Sequence, residues 1–294
     1  MIPPRLIAVC LLISSISPVR AVETVSNEIS TFNTNNNIAS SVSGWSSGWG
    51  TGNTNTGWNY IGQVSDASGV YLGNGWVLTA AHVNSPTTFT INGNTYDATG
   101  LSYTDFTNSN TGTTNADINL FQISTVSTLG TPISLPPLTL ASAVPSFGDT
   151  LVMIGYGYTN GQGPETWGNN TISHTSVITP VNSFASLDFT TADIGSSYGA
   201  IVLGDSGGGD FVKVGLGTNA IWELEGINEA TGTYIGVDSS FYVQLSSYYS
   251  QIDPIITAVP EPRTCWLLGL GVLAILGSLL RGNRNLTFQK QQSF

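Results

Sequence analysis

Between Trp58 and Gly236 the sequence is cut into short β-branched and aromatic runs by Gly, Asn and Pro, a pattern that admits strands and few helices. Val70-Tyr71-Leu72 and Trp76-Val77-Leu78 flank Gly73-Asn74-Gly75, a hairpin signal, because Asn and Gly tolerate the positive φ of a tight turn. Phe89-Thr90-Ile91 and Thr95-Tyr96 flank a second Asn-Gly. Residues 118–123 read as a further strand, and 132–145, rich in Pro and Ser, as a connection between two halves. The second half restarts at 150–154. Only one segment of 22–258 has helical spacing, with Leu245, Tyr248, Tyr249 and Ile252 on one face. The expectation is an all-β domain over 58–253, in two similar halves at about 58–135 and 146–240, closed by a short terminal helix.

Both ends of the chain read as processing signals. Residues 1–21 carry Arg5, an apolar run over 6–16, and then Val19-Arg20-Ala21, the pattern of a secretory signal peptide. Near the other end, 264–280 is apolar and uncharged, and its seventeen residues reach the lower limit of a bilayer-spanning helix. Arg281 and Arg284 follow it and predict that its C-terminal end stays in the cytoplasm. Between the signals, 22–57 is an Asn/Ser/Thr/Gly-rich leader that reads as flexible or pro-like. Its tryptophans, Trp45 and Trp49 with neighbouring Trp58, argue that part of it packs onto the domain.

Residues 22–258 hold seventeen acidic residues and one basic residue, Lys213. Such a surface repels phosphate backbones, which excludes nucleic acid as a partner. Both cysteines, Cys10 and Cys265, lie in the terminal signals, so the domain between them has no disulfide and depends on its core. No cofactor is implied. No metal site is evident either: two separated histidines form no ligand cluster, and the acidic residues lack calcium-loop spacing.

The strongest chemical signal is Gly204-Asp205-Ser206-Gly207-Gly208. Glycines beside a nucleophilic serine permit backbone conformations closed to other residues and let a carbonyl approach the N–H groups that stabilise an oxyanion. The bland alternative is an ordinary Gly-rich turn. The same residues fit Gly-x-Ser-x-Gly, the nucleophile elbow of α/β-hydrolases, but that fold places its histidine after the serine. Here His82 and His174 both precede Ser206, so that triad cannot be assembled. His82 follows the strand at 76–79 in Thr79-Ala80-Ala81-His82, where two alanines allow a close turn. Asp117 enters a strand in Asn115-Ala116-Asp117-Ile118, between His82 and Ser206 in the chain, as a carboxylate suited to orient the imidazole.

Together these three motifs resemble the trypsin/chymotrypsin-like serine proteases, in that family's His–Asp–Ser order. The resemblance runs from about Ile61 to Ile252 and includes Ile154-Gly155-Tyr156-Gly157. It implies two six-stranded antiparallel β-barrels packed side by side, with a His82–Asp117–Ser206 triad in the cleft and an oxyanion hole from the N–H groups of Gly204 and Ser206. It further implies peptide-bond hydrolysis through an acyl-enzyme, acting on protein or peptide substrates. Val259-Pro260-Glu261-Pro262, the apolar run and the basic cluster over 259–284 resemble a PEP-CTERM sorting signal. That resemblance implies an exosortase-type partner, transient anchoring in the inner membrane and a final place in the envelope or medium of a Gram-negative bacterium.

Three departures from the protease pattern stand out. No Ile-Val-Gly-Gly-like tetrapeptide is present to pair with Asp205, the nearest match being Tyr60-Ile61-Gly62. Ala200, six residues before the serine, stands where the family has the base of its specificity pocket, so a preference for Arg or Lys is not expected from that position. Glu225 and Glu229 are alternative lining residues. Gly209 replaces a proline common in the family. His174 reads as a structural or surface residue, with an accessory role in substrate binding as the alternative. Two other functions remain open at this level: a non-catalytic surface or matrix protein on the same fold, and an esterase using the same triad.

Overall fold

A computed structural model describes residues 23–24, 34–50, 54–83, 85–157, 163–194 and 198–258. The segments read from the sequence as a signal peptide (1–21) and as a sorting signal with an apolar run (259–284) lie outside them. Among the described residues no helix is long and apolar enough to cross a membrane. The chain divides into two compact units, Met1–Ile256 and Thr257–Phe294, and all the described strands lie in the first.

The first element is a two-residue strand, β1 (Glu23–Thr24). Next come β2 (Ile61–Val64), β3 (Ala67–Gly73), β4 (Trp76–Thr79), β5 (Thr88–Ile91), β6 (Asn94–Tyr103) and β7 (Asn119–Ile123). They close into an antiparallel barrel in the order β2-β3-β4-β7-β6-β5. A stretch without strands leads to β8 (Thr150–Gly155), β9 (Thr166–Val181) and β10 (Phe184–Ala192). The short β11 (Gly199–Ala200) is followed by β12 (Gly209–Val214), β13 (Ile221–Tyr234) and β14 (Val237–Gln244). A second barrel runs β10-β14-β13-β12-β8-β9, while β11 stands apart and pairs with β1. The chain therefore has the chymotrypsin-like fold that its motifs imply, and its last strand reaches Gln244, a few residues beyond the expected limit.

Two-residue turns set the strand registers. Val70 faces Leu78 across the Asn74-Gly75 turn, and Ile91 faces Asn94 across Asn92-Gly93. All four turn residues have positive φ, as the Asn-Gly signals require. Three further hairpins carry weaker signals: Ser65, Asn182 and Ile235 each take a φ near +50°. Ile235 is the costly one, because a β-branched side chain is strained in that region and this one is 74% exposed. Ile235→Asn is expected to raise stability by about 1 kcal/mol, seen as a higher urea midpoint. An unchanged midpoint would mean that the strain is relieved by contacts of the isoleucine.

The leader is partly built into the second barrel. Ile38 and Trp45 are fully buried, and Trp45, Trp49, Trp222 and Phe211 pack ring against ring, with Trp49 stacked on Trp222 at 5.6 Å. The Gly44 carbonyl accepts bonds from Trp222 Nε1 and from Lys213 Nζ, both at 3.0 Å, so the one cation of 22–258 fastens this segment. Aromatic burial of this kind dominates core energetics.

The connection between barrels is anchored to both. Leu138 N–H donates to Leu72 O in the first, and Leu224 N–H in the second donates to Thr139 O. After β14, a 3-10 turn at Leu245–Ser247 leads into α1 (Tyr249–Thr257). Leu245, Tyr248 and Ile252 are fully buried, which accounts for the spacing seen in the sequence. Asn74 of the first hairpin turn donates to the Ile256 carbonyl at 2.9 Å, tying this helix back to the first barrel.

Candidate active site

His82 lies in the turn that follows β4. Ala80 before it is fully buried and Val83 N–H donates to Ala80 O, so the small residues let the turn tuck in and leave the imidazole half-buried at the rim. Asp117 is held between Ala116 and Ile118, all three at 0% exposure, just ahead of β7. Ser206 occupies the turn between β11 and β12, flanked by Gly204 at φ +94° and Gly207 at φ +79°.

The three side chains meet where the barrels adjoin. Ser206 Oγ is 2.9 Å from His82 Nε2. On the other side of the ring, His82 Nδ1 makes a short contact with Asp117 Oδ2, and Asp117 Oδ1 accepts the His82 backbone N–H at 2.7 Å. The carboxylate thus grips both the ring and the main chain of the histidine, which fixes the imidazole orientation.

The turn carrying Ser206 is fastened from the first barrel by a residue absent from the sequence reading. Ser68 on β3 donates its N–H to Ser206 O at 2.9 Å and its hydroxyl to Gly204 O at 3.3 Å. That hydroxyl also accepts Tyr156 N–H at 2.9 Å. The sequence shows only a lone serine in an apolar run, Ala67-Ser68-Gly69-Val70-Tyr71-Leu72, and the structure adds that this serine is fully buried. Gly207 is the point of closest approach: a Cβ there would lie 2.2 Å from Thr79 Oγ1 and 2.4 Å from Ser68 O. Only glycine fits such spacing and such a φ. Asn228 on β13 adds a second fastening, accepting Gly207 N–H through its carbonyl and donating Nδ2 to Asp205 O at 3.2 Å. Among the described residues, neither Gly204 N–H nor Ser206 N–H donates to a protein acceptor.

Burial alone would lower the basicity of His82. The hydrogen bond and charge of Asp117, with the charge of Glu229 added, outweigh it and hold the imidazole above its ordinary pKa. An activity that needs neutral His82 will therefore rise with pH through a midpoint above about 6.5.

A family model described as Trypsin matches residues 47–252, more than half of the chain. The chain belongs to the trypsin family. No protein of curated function matches it in sequence. Among solved structures, similarity extends to Rv3671c from M. tuberculosis H37Rv, a serine-to-alanine mutant in an inactive form. It is 15% identical with a TM-score of 0.48, covering 80% of this chain and 98% of that one. A double mutant of human heparin binding protein (CAP37) is similar at 16% identity and a TM-score of 0.49, covering 69% of this chain and 94% of that one.

Against the trypsin-family pattern, the remaining sequence candidates fall as follows. Tyr60 ends a 3-10 turn over Gly57–Tyr60 and Ile61 and Gly62 open β2, all three buried, so this stretch is continuous interior chain and not an inserted terminus. Asp205 is fully buried and accepts Gly157 N–H at 3.0 Å and Val202 N–H at 2.8 Å. Gly155 makes room for it, since a Cβ there would stand 2.3 Å from Asp205 Oδ1. Ala200 lies in β11, paired with Glu23 of β1. Glu225 is buried beside Glu223 and Asp149, burial first and those charges next pushing it up to about 8. Glu229 is committed behind the triad, where Ser186 Oγ donates to its Oε1 at 2.6 Å. His174 is exposed on β9 and packs edge-on against Tyr234, with ring centroids 4.9 Å apart.

Proposed function

We propose that the chain is a serine endopeptidase in which His82, Asp117 and Ser206 act as the catalytic triad. The observation that carries this reading is the hydrogen-bonded line from Ser206 Oγ through the His82 ring to buried Asp117. His82 Nε2 takes the Ser206 proton as Oγ attacks the scissile carbonyl carbon. The carbonyl oxygen, now negative, takes up the N–H groups of Gly204 and Ser206, which have no competing protein acceptor among the described residues. The tetrahedral intermediate collapses as His82 returns the proton to the leaving amine, and an acyl-Ser206 ester remains. Water, deprotonated by His82, attacks that ester and restores Ser206 with release of the acid. Asp117 fixes the proton of His82 on Nδ1 and stabilises the imidazolium.

Ala200, near the base expected for the specificity pocket, brings no charge to that position, so selection of a basic side chain is not expected from it. The terminal signals add that the enzyme is exported across the inner membrane, anchored there by 264–280 and passed by an exosortase-type enzyme to the envelope or medium.

The test is a fluorophosphonate probe applied to the full chain, followed by peptide mapping. Stoichiometric label on Ser206 that disappears in His82→Ala is the expected result. Absence of label from the folded protein would overturn the reading and leave the fold as a binding scaffold.

A further inference from the structure

Joined to Asp117 through its backbone N–H is a chain of buried polar groups that triad chemistry alone does not require. Asp117 N–H donates to Ser186 Oγ at 3.0 Å, and that hydroxyl donates to Glu229 Oε1 at 2.6 Å. Asp117 and Ser186 are at 0% exposure and Glu229 at 3%. Glu229 reaches this position through a β-bulge. Asn228 pairs with Tyr242 and Ala230 with Phe241, so Glu229 is the extra residue of β13, and bulges are where a strand re-aims a side chain. Asp188, two residues beyond Ser186 on β10, sits against Glu229, and β10 is itself irregular between Asp188 and Thr190. Asp188 Oδ1 and Oδ2 and Glu229 Oε2 are buried without a hydrogen-bond partner of good geometry.

Two buried carboxyl groups that abut resist double ionisation, because each charge disfavours the other. One shared proton is the species that suits the pair. Among the described residues, the titratable groups facing it are Asp117 and His82 from the first barrel, and Tyr248 from the segment before α1. Ser186 and Thr179 contribute hydroxyls. Lys213, the one Lys or Arg of 22–258, is not among them.

We propose that Glu229, sharing a proton with Asp188, is a positioning residue for the triad: through Ser186 it sets the backbone of Asp117, and the shared proton keeps a second full negative charge from building up behind it. The arrangement makes the second barrel a partner in placing a carboxylate that belongs to the first. Ala185 N–H, donating to Asn115 O at 2.9 Å, reinforces the same join. When the pair loses its proton, the added charge favours imidazolium and withdraws the base from the reaction. Turnover is then governed by two linked protonations instead of one. This inference rests on the proposed triad reading.

The experiment uses the full chain in wild-type, Glu229→Gln, Glu229→Leu and Ser186→Ala forms, with two readouts. The first is the titration of the His82 imidazole by NMR, resolved easily because the chain has two histidines, and it needs no activity. Glu229→Gln is expected to move the His82 midpoint down by roughly half a unit or more, as expected for loss of a nearby buried charge. The second is the pH profile of kcat and KM on a peptide or ester substrate. Glu229→Leu and Ser186→Ala should lower kcat about tenfold with little change in KM, and glutamine at 229 should recover most of the loss, since its amide oxygen still accepts from Ser186. A His82 titration in Glu229→Gln that superposes on wild type would overturn the proposal. So would equal kcat losses for glutamine and leucine. A wild type without Ser206-dependent turnover defeats the protease reading instead, while the NMR shift is still read on its own.

Discussion

Asp117→Asn is expected to lower kcat about 10⁴-fold while leaving the fold intact, the size that a wrong histidine tautomer costs in Ser-His-Asp triads generally. The structure states why the amide is forced into the harmful orientation. Asp117 holds His82 at two points, Oδ1 on the backbone N–H and Oδ2 on ring Nδ1. The backbone N–H can be met only by an acceptor, so the asparagine oxygen must take that place. Its NH₂ then faces Nδ1 and donates to it, which drives the ring proton onto Nε2. Nε2 points at Ser206 Oγ, 2.9 Å away, and an N–H there cannot receive the serine proton. Single-turnover kinetics on the variant check this. A loss of only a few-fold would mean that another carboxylate orients the ring, and Glu229 is the one whose charge His82 feels.

Stability is expected to be greatest on the acid side and to fall as pH rises from about 5 to 9, by an amount on the order of 5 kcal/mol. Burial pushes Glu165 up to about 9, Glu225 to about 8, Glu229 to about 7 and Asp193 to about 6. Burial also holds Asp188 and Asp210 well above the usual carboxylate range. Each of these groups has a higher pKa folded than unfolded. Its contribution is therefore fully present below the unfolded value near 4 and is lost as pH climbs through the folded value. His82, raised as well, works in the same direction.

The cause lies in burial and composition: with one basic residue in 22–258, these six carboxyl groups have little cationic charge to offset their desolvation, which favours their acid form. The expected readout is a thermal midpoint that drops by roughly 10 °C or more between pH 5 and pH 9. Rising surface repulsion adds to the slope, so Glu225→Gln and Glu165→Gln provide the control. Each should flatten the curve. A midpoint that is constant or rises over that range would contradict the burial of neutral carboxyl groups.

How much of this was legible in the chain follows from the range over which each signal acts. The Asn74-Gly75 and Asn92-Gly93 turns were readable because the φ they need is a property of two residues. Ile235 gave no such warning: nothing in an isoleucine announces a positive φ, and its turn exists because β13 and β14 pair on either side of it. His82, Asp117 and Ser206 stood out by their immediate neighbours and their order, and the structure brings their side chains within hydrogen-bond reach. Ser68, Ser186 and Glu229 carried no motif. Their meaning depends on which residue of the other barrel they meet, 138 positions away for Ser68 and Ser206, 69 for Ser186 and Asp117. Glu229 could be suspected as a pocket residue from its position in the chain, but a one-residue bulge decides which way its carboxylate points.

The sequence by itself determined the fold class, the two-part organisation and the three side chains proposed as the triad, because strand alternation, turn residues and the neighbours of Ser206 are all encoded over a few positions. Tertiary structure alone decided what holds those side chains in place. The leader's tryptophans become core against Trp222 and Phe211, the turn carrying Ser206 is fastened by Ser68 from the other barrel, and Asp117 is backed by Ser186 and Glu229. The physical reason is that hydrogen bonds and burial act over a few ångströms of space, and two closed barrels fold distant segments into that range.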